Sequence, residues 1–362
     1  MISYIIPTRN RPDDLARTLS AIAKIAEHEP GGVEPAEVIV VDNASRFPPV
    51  VPKVLENGVP VHLVLLDKNL GAASRNRGVQ HAHQASRWVV MLDDDSHPVD
   101  GSFVHALHEA GDDIAVVTAD IHLPMQNRRE DGGLPEVFIG CGAAIRRDVF
   151  DRLGGYDASF EYYVEEYDLA ARIIAAGYRI VFEPRFRVDH YKAATGRDMN
   201  RIVSRLLRNG CWVMQRYAPE PERRTQLRSV RQRCRLIAEL EDATEGYRSG
   251  LDEVRRTLHL QTRRPHDRLC FDRFTGLWHA RDALRRAHAA EPFDSAAVVA
   301  RGKNAWVVDR ALAELGVPIV PESQAGVRVI GTMSPGPMLD ARDQFAPKGR
   351  TIAPWSRAQQ VA

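Results

Sequence analysis

The 362 residues allow two domains, or one large domain with additions. Hydrophobic residues at 44% and charged residues at 27% exclude a disordered chain, a collagen-like repeat and a disulfide-stapled miniprotein. A net charge of +1 argues against a dedicated nucleic-acid binder, yet residues 201–290 hold 20 Arg, no Lys and 11 acids, so a basic middle lies between acidic ends.

Residues 2–6 are a β-branched run that stops at Pro7, a buried strand rather than a signal peptide. Leu15, Leu19, Ile22 and Ile25 recur at helical spacing over 13–26, with Asp13 or Asp14 as cap. Further strands are predicted at 37–41, 61–66, 88–92 and 114–118, and helices at 71–85 and 102–110. This alternation predicts an α/β fold with a mostly parallel sheet. Ligands of such sheets sit outside the carboxyl ends of the strands. Three polar clusters fall there: Thr8-Arg9-Asn10, Asp42-Asn43 and Asp93-Asp94-Asp95. Residues 201–290 read as amphipathic helices broken near Pro219–Pro221 and Pro265. Strands at 296–300, 318–320 and 327–330 and a helix at 307–315 predict a small α/β segment, and the tail from Pro335 is expected to lie across the surface. Residues 298–305 open a strand, turn and helix without GxGxxG, so an appendage for homodimer formation or acceptor binding is expected, not dinucleotide binding.

Cys141, Cys211, Cys234 and Cys270 form no CxxC pair, which removes zinc-ribbon readings and leaves the reduced thiols of a cytoplasmic protein. No apolar run reaches the roughly 18–20 residues of a membrane span. A peripheral membrane contact through the basic middle is the remaining membrane reading.

Asp93-Asp94-Asp95 closes an apolar strand. Two carboxylates one residue apart can hold Mg²⁺ or Mn²⁺, and such an ion can neutralise a departing diphosphate. The bland alternative is an acidic loop capping the next helix. The neighbouring stretches shift the balance: residues 2–10 (ISYIIPTRN), 38–45 (VIVVDNAS), 69–78 (NLGAASRNRG), 90–96 (VMLDDDS), 139–157, and Glu165-Glu166-Tyr167-Asp168-Leu169 with Arg172. In this order they resemble the GT-A glycosyltransferases, in particular family 2, over about residues 1–217.

The expected layout is therefore a GT-A catalytic domain over 1–217, an Arg-rich helical region over 218–294, and a small α/β segment with a C-terminal tail over 295–362. The resemblance implies an enzyme that moves a sugar from a nucleoside-diphosphate-sugar to an acceptor hydroxyl or amine with Mn²⁺ or Mg²⁺. Pro7, Thr8 and Arg9 would lie along the nucleoside. Asp42 would bond the base, Asn69 and Arg75 would line the base and diphosphate, and Asp94 would reach the ribose. Asp93 and Asp95 match the metal-binding acids, joined by His190. Glu166, or its neighbour Glu165, would take the acceptor proton, giving inversion. Gly142, Tyr156 and Asp157 would shape the acceptor side, for a small-molecule or glycan-like acceptor.

Asp168 and Arg172 are four apart and read as a structural ion pair. Arg208-Asn209 with Tyr217-Ala218-Pro219 resembles the ending of bacterial rhamnosyl- and related family 2 transferases, and would pack that helix beside the site. Two rivals stand: a nucleotidyltransferase, which would want a Gly- and Lys-rich phosphate loop absent from residues 7–12, and a non-catalytic protein of the same fold, which would not need the intact acids. The basic middle fits a packed Arg-rich subdomain, a surface for an anionic acceptor or membrane, or an anion funnel. Its sparse aromatics do not suit base stacking.

Overall fold

The computed structural model describes residues 1–28, 32–192 and 198–356. Chain order begins β1 (Ile2–Thr8), α1 (Pro12–Ile22), β2 (Ala36–Asp42), β3 (Val61–Leu65), α2 (Ser74–His81), β4 (Trp88–Met91), β5 (Ser96–Pro98), α3 (Ser102–Glu109) and β6 (Ile114–Leu123). It continues with β7 (Arg128–Arg129), β8 (Ala143–Arg146), α4 (Arg147–Leu153), α5 (Glu165–Ala175), β9 (Arg179–His190) and α6 (Met199–Tyr217). Helices α7 (Glu220–Leu240), α8 (Thr244–Thr257), α9 (Arg268–Thr275) and α10 (Leu277–Ala290) follow. The chain closes with β10 (Ala296–Val299), α11 (Ala305–Leu315), β11 (Val327–Ile330), α12 (Pro335–Phe345) and β12 (Thr351–Ile352).

The first nine strands form one sheet, ordered β3-β2-β1-β4-β8-β6-β9-β5 with β7 paired on β6. β3, β2, β1 and β4 run parallel, while β8 lies antiparallel between β4 and β6. β1 is central and buried on both faces, as its unbroken apolar run requires. Its alternate residues feed opposite cores: Tyr4 and Ile6 pack with Leu15 and Leu19 of α1, whereas Ile5 packs with Val79 of α2. Register sets Thr8 opposite Asp42 and Ile5 opposite Met91, so all three polar clusters leave the same edge of the sheet.

Several local expectations change. Asp13 and Asp14 do not cap α1; both lie in its first turn, where carboxylates favour the positive helix end, and Asp14 pairs with Arg11 and Arg17. The break expected near Pro219–Pro221 is present, between the end of α6 at Tyr217 and the start of α7 at Glu220, with Pro221 in the first turn of α7. Residues 318–320 make one isolated bridge, Ala296 with Ile319, rather than a strand. The tail from Pro335 does not simply cross the surface. It forms α12 and β12 and buries Met338 and Trp355.

β10, β11 and β12 make a second, parallel sheet. Its core is continuous with that of the first: Trp355 meets Phe182 of β9 edge-on at 5.7 Å, and Arg129 pairs with Asp340 of α12 at 2.7 Å. Among the described residues no helix is long and apolar enough to cross a membrane.

Candidate active site

A cleft of about 1420 Å³ runs along the carboxyl edge of the large sheet. Pro7, Thr8, Arg9, Arg75, Asp93, Asp94, Asp95, Glu165, Glu166 and His190 all line it.

The three aspartates have distinct surroundings. Asp94 accepts the Thr8 hydroxyl at 2.8 Å and Arg11 Nη1 at 2.7 Å. Burial lifts its carboxyl to about 7 against these two partners. Asp95 accepts Arg11 Nη2 at 2.7 Å and stands 3.3 Å from His190 Nε2. Burial opposes its charge, but His190 and Arg11 hold it below the usual carboxylate range. Asp93 is the most open of the three and pairs with the buried Arg75 guanidinium. Arg75 also donates to Leu92 O at 3.2 Å and Gly140 O at 3.5 Å, tying the end of β4 to residue 140.

His190, at the end of β9, bonds Glu130 through Nδ1 at 2.9 Å, and Lys192 bonds the other Glu130 oxygen at 2.8 Å. Burial works against the charged Glu130, yet His190 and Lys192 hold it down to about 2. The imidazolium of His190 is in turn held well above its usual range, against burial, by Cys141, Asp95 and Glu130.

The donors present fit a divalent cation. One atom each from Asp93, Cys141 and His190 lie within 4.8 Å of one another, and Asp95 adjoins His190. Carboxylate and imidazole ligands suit Mn²⁺.

Glu165 and Glu166 open α5. Glu166 accepts the Gly140 N–H at 3.3 Å, one residue-span from the Arg75 that holds Asp93. Glu165 is buried, and its Oε2 has no hydrogen-bond partner. Burial raises both carboxyls above the usual range, and the charge of Glu166 raises Glu165 further. The turn before them is strained: Glu161, Tyr163 and Val164 have φ of +62°, +70° and +70°. α6 clamps that turn. Asn209 Nδ2 reaches the carbonyls of Phe160, Tyr162 and Tyr163, and Arg208 Nη2 reaches Phe160 O at 3.0 Å. The Arg208-Asn209 pair thus lies beside the site through backbone contacts.

The other expected residues are placed elsewhere. Asp42 is buried, accepting the Ser45 N–H at 3.2 Å, and its neighbour Asn43 lines the cleft instead. Asn69 accepts the Gly71 N–H at 2.8 Å and so shapes the turn ahead of α2. Gly142 packs against Ala119 and Ile121, where any larger residue would collide. Tyr156 is buried with its hydroxyl unpartnered. Asp157 caps a short turn at Ser159 and pairs with Arg216 at 2.8 Å, in a separate cavity of about 480 Å³. The structure does not bring these three to the large cleft. Asp168 and Arg172 do pair, at 2.8 Å, and Tyr217 and Arg216 complete a buried network on Asp168.

Sequence reading missed Arg11, Glu130 and Cys141. Arg11 follows Thr8-Arg9-Asn10 directly and could have been weighed with them; Glu130 and Cys141 carry no local signal.

With sheet order and acid placement in hand, the class is a GT-A glycosyltransferase fold. Residues 3–136 match the family described as Glycosyl transferase family 2. The rest of the chain lies beyond that match. Over 75 residues, 20% of this chain, it is 37% identical to N-acetylglucosaminyl-diphospho-decaprenol L-rhamnosyltransferase of Mycobacterium tuberculosis. That stretch spans 24% of the relatives' length. The crystal structure of GalNAc-T7 with UDP, GalNAc and Mn²⁺ is similar in fold, with TM-score 0.51, 17% identity, and coverage of 71% of this chain and 57% of that one. The mannosyltransferase PcManGT from Pyrobaculum calidifontis, in complex with GDP-Man and Mn²⁺, aligns with TM-score 0.45 and 17% identity over 87% of this chain and 86% of that one.

Proposed function

We propose that this protein transfers a sugar from a nucleoside-diphosphate-sugar to an acceptor hydroxyl or amine, with inversion and with Glu166 as base. The observation that carries the reading is one cleft lined both by Asp93, Asp95 and His190 and by the Glu165-Glu166 pair. Thr8, Arg9 and Asn43 line the end where a nucleoside would lie. Asp93, Asp95 and His190 would hold Mn²⁺ or Mg²⁺, which when bound supplies charge neutralisation for a departing diphosphate. The acceptor oxygen or nitrogen bonds to the anomeric carbon as the bond from that carbon to the diphosphate breaks. Glu166 receives the acceptor proton. Its raised pKa suits that task, since a base works best when its pKa approaches the operating pH. Arg75 bonds both Asp93 and the Gly140 carbonyl, and the Gly140 N–H bonds Glu166 of α5, which links the donor side to the base.

Incubation with Mn²⁺ and UDP-, GDP- and dTDP-sugars tests the reading. One donor should be hydrolysed or transferred, and Asp95→Ala should abolish this. Pyrophosphate release from a nucleoside triphosphate would instead indicate nucleotidyl transfer. Absence of binding to any donor would refute the enzyme reading.

A further inference from the structure

The C-terminal segment enters the cleft through its loops. Residues after β10 (Ala300 to Ala305) and after β11 (Thr332, Ser334) line it, both at carboxyl ends of parallel strands. The first loop is held firmly. Gly302 N–H donates to Gly331 O at 2.8 Å, Met333 N–H to Lys303 O at 2.9 Å, and Asn304 Nδ2 to Thr275 O at 2.9 Å. Ala300 and Asn304 accept φ of +47° and +56° to make this shape. Between these anchors Lys303 lays its ammonium 5.0 Å from the ring centre of Tyr167, the residue after Glu166. Tyr167 also meets Phe274 edge-on at 6.1 Å, and its hydroxyl is buried without a partner.

Charge around the cleft is unevenly matched. Arg11, Arg75 and Lys192 are each paired with carboxylates on the aspartate side. Lys303 has no carboxylate partner among the described residues, and neither has Arg233 on α7, which lines the same cleft. The cleft also has apolar lining, including Val230 and Ile237 on the helix of Arg233 and Phe274, which packs on the Tyr167 ring that Lys303 covers. Unneutralised cations beside apolar walls favour an oxyanion brought by a ligand. A compact ammonium suits a phosphate as a point charge.

We propose that Lys303, assisted by Arg233, receives a phosphate-type oxyanion of the acceptor, so that residues outside the family match set acceptor specificity. This rests on the glycosyl-transfer reading above. The test is calorimetric titration of the full chain, without donor or metal, with dodecyl phosphate below its micelle concentration, dodecyl glucoside and inorganic phosphate. Lys303→Met keeps the stem against Tyr167 and removes the charge; Lys303→Arg restores it.

Wild type should bind dodecyl phosphate more tightly than dodecyl glucoside. Lys303→Met should weaken dodecyl phosphate about ten-fold and leave the glucoside unchanged, with Lys303→Arg near wild type. Arg233→Met provides a second charge removal if Lys303→Met does not fold. Inorganic phosphate binding with the same Lys303 dependence supports a soluble phosphate source; binding of dodecyl phosphate alone supports a lipid-borne one. Equal binding by wild type and folded charge-removed variants, or no preference of wild type for phosphate over glucoside, overturns the proposal. The donor panel reads the glycosyl-transfer reading separately, because this titration needs no turnover.

Discussion

Asn209→Ala asks whether α6 holds the turn that presents Glu165 and Glu166. Asn209 is fully buried. Its Nδ2 lies 2.9, 3.0 and 2.7 Å from the carbonyls of Phe160, Tyr162 and Tyr163, and its Oδ1 accepts Arg208 Nε at 2.8 Å. An amide nitrogen has two hydrogens, so about two of the three carbonyl contacts are strong at once. Truncation therefore removes two donated bonds and one accepted bond, buried or partly buried. At about 1 kcal/mol each, the loss is about 3 kcal/mol. The bonds also oppose strain, since a residue such as Val164 at positive φ costs about 1–3 kcal/mol. Released from them, the turn relaxes and Glu166 leaves Gly140. Urea unfolding should show a lower midpoint at unchanged slope. In steady-state assays kcat should fall with little change in donor KM, because Thr8, Arg9 and Asp93 are untouched. Asn209→Asp, which turns donors into acceptors facing three carbonyls, should cost at least as much. A stability loss under about 1 kcal/mol with unchanged kcat would refute the clamp.

Glu166→Gln should lower kcat by about 10²–10⁴, the usual worth of a general base. Because burial raises the Glu166 carboxyl, the acid limb of kcat/KM should lie above the ordinary glutamate range of about 4.3, with activity lost as pH falls through it; a limb at or below that range contradicts the assignment. Glu165 is raised by burial first and by Glu166 second, so the fold favours its protonated form. That contribution is complete below the unfolded pKa of about 4.3 and is lost as pH rises through the folded one. Glu165→Gln should therefore raise the melting temperature at neutral pH and not in acid. Asp168→Ala strips Arg172, Arg216 and Tyr217 of their shared buried partner and should cost about 3–5 kcal/mol in urea unfolding. Asp95→Ala should abolish Mn²⁺ binding measured by electron paramagnetic resonance; unchanged affinity would move the cation elsewhere.

The strand-end clusters were legible because each belongs to one strand and its own exit. An apolar run such as residues 2–6 declares a buried strand, and the polar residues after it lie at its carboxyl end. The six ordered stretches carried the fold class for the same reason. Partners across the sheet were not legible. Arg11 meets Asp94 and Asp95 more than 80 residues away, and Glu130 meets His190 across 60. Asp157 looked like an acceptor residue by its place after Gly154-Gly155-Tyr156. Only the packing of α6 showed that Arg216 occupies it.

The amino-acid order thus determined the alternating α/β chain, the basic middle and the acids at strand ends, since periodicity, composition and strand exits are local properties. The tertiary structure decided which acids share a cleft, which cations neutralise them and which do not. It also brought the basic middle into use. Many of its arginines are paired: Arg205 and Arg208 with Glu253, Arg216 with Asp168, Arg273 with Glu136 and Arg281 with Asp272. Net charge cannot distinguish a paired arginine from a free one, because pairing depends on contacts between segments distant in the chain.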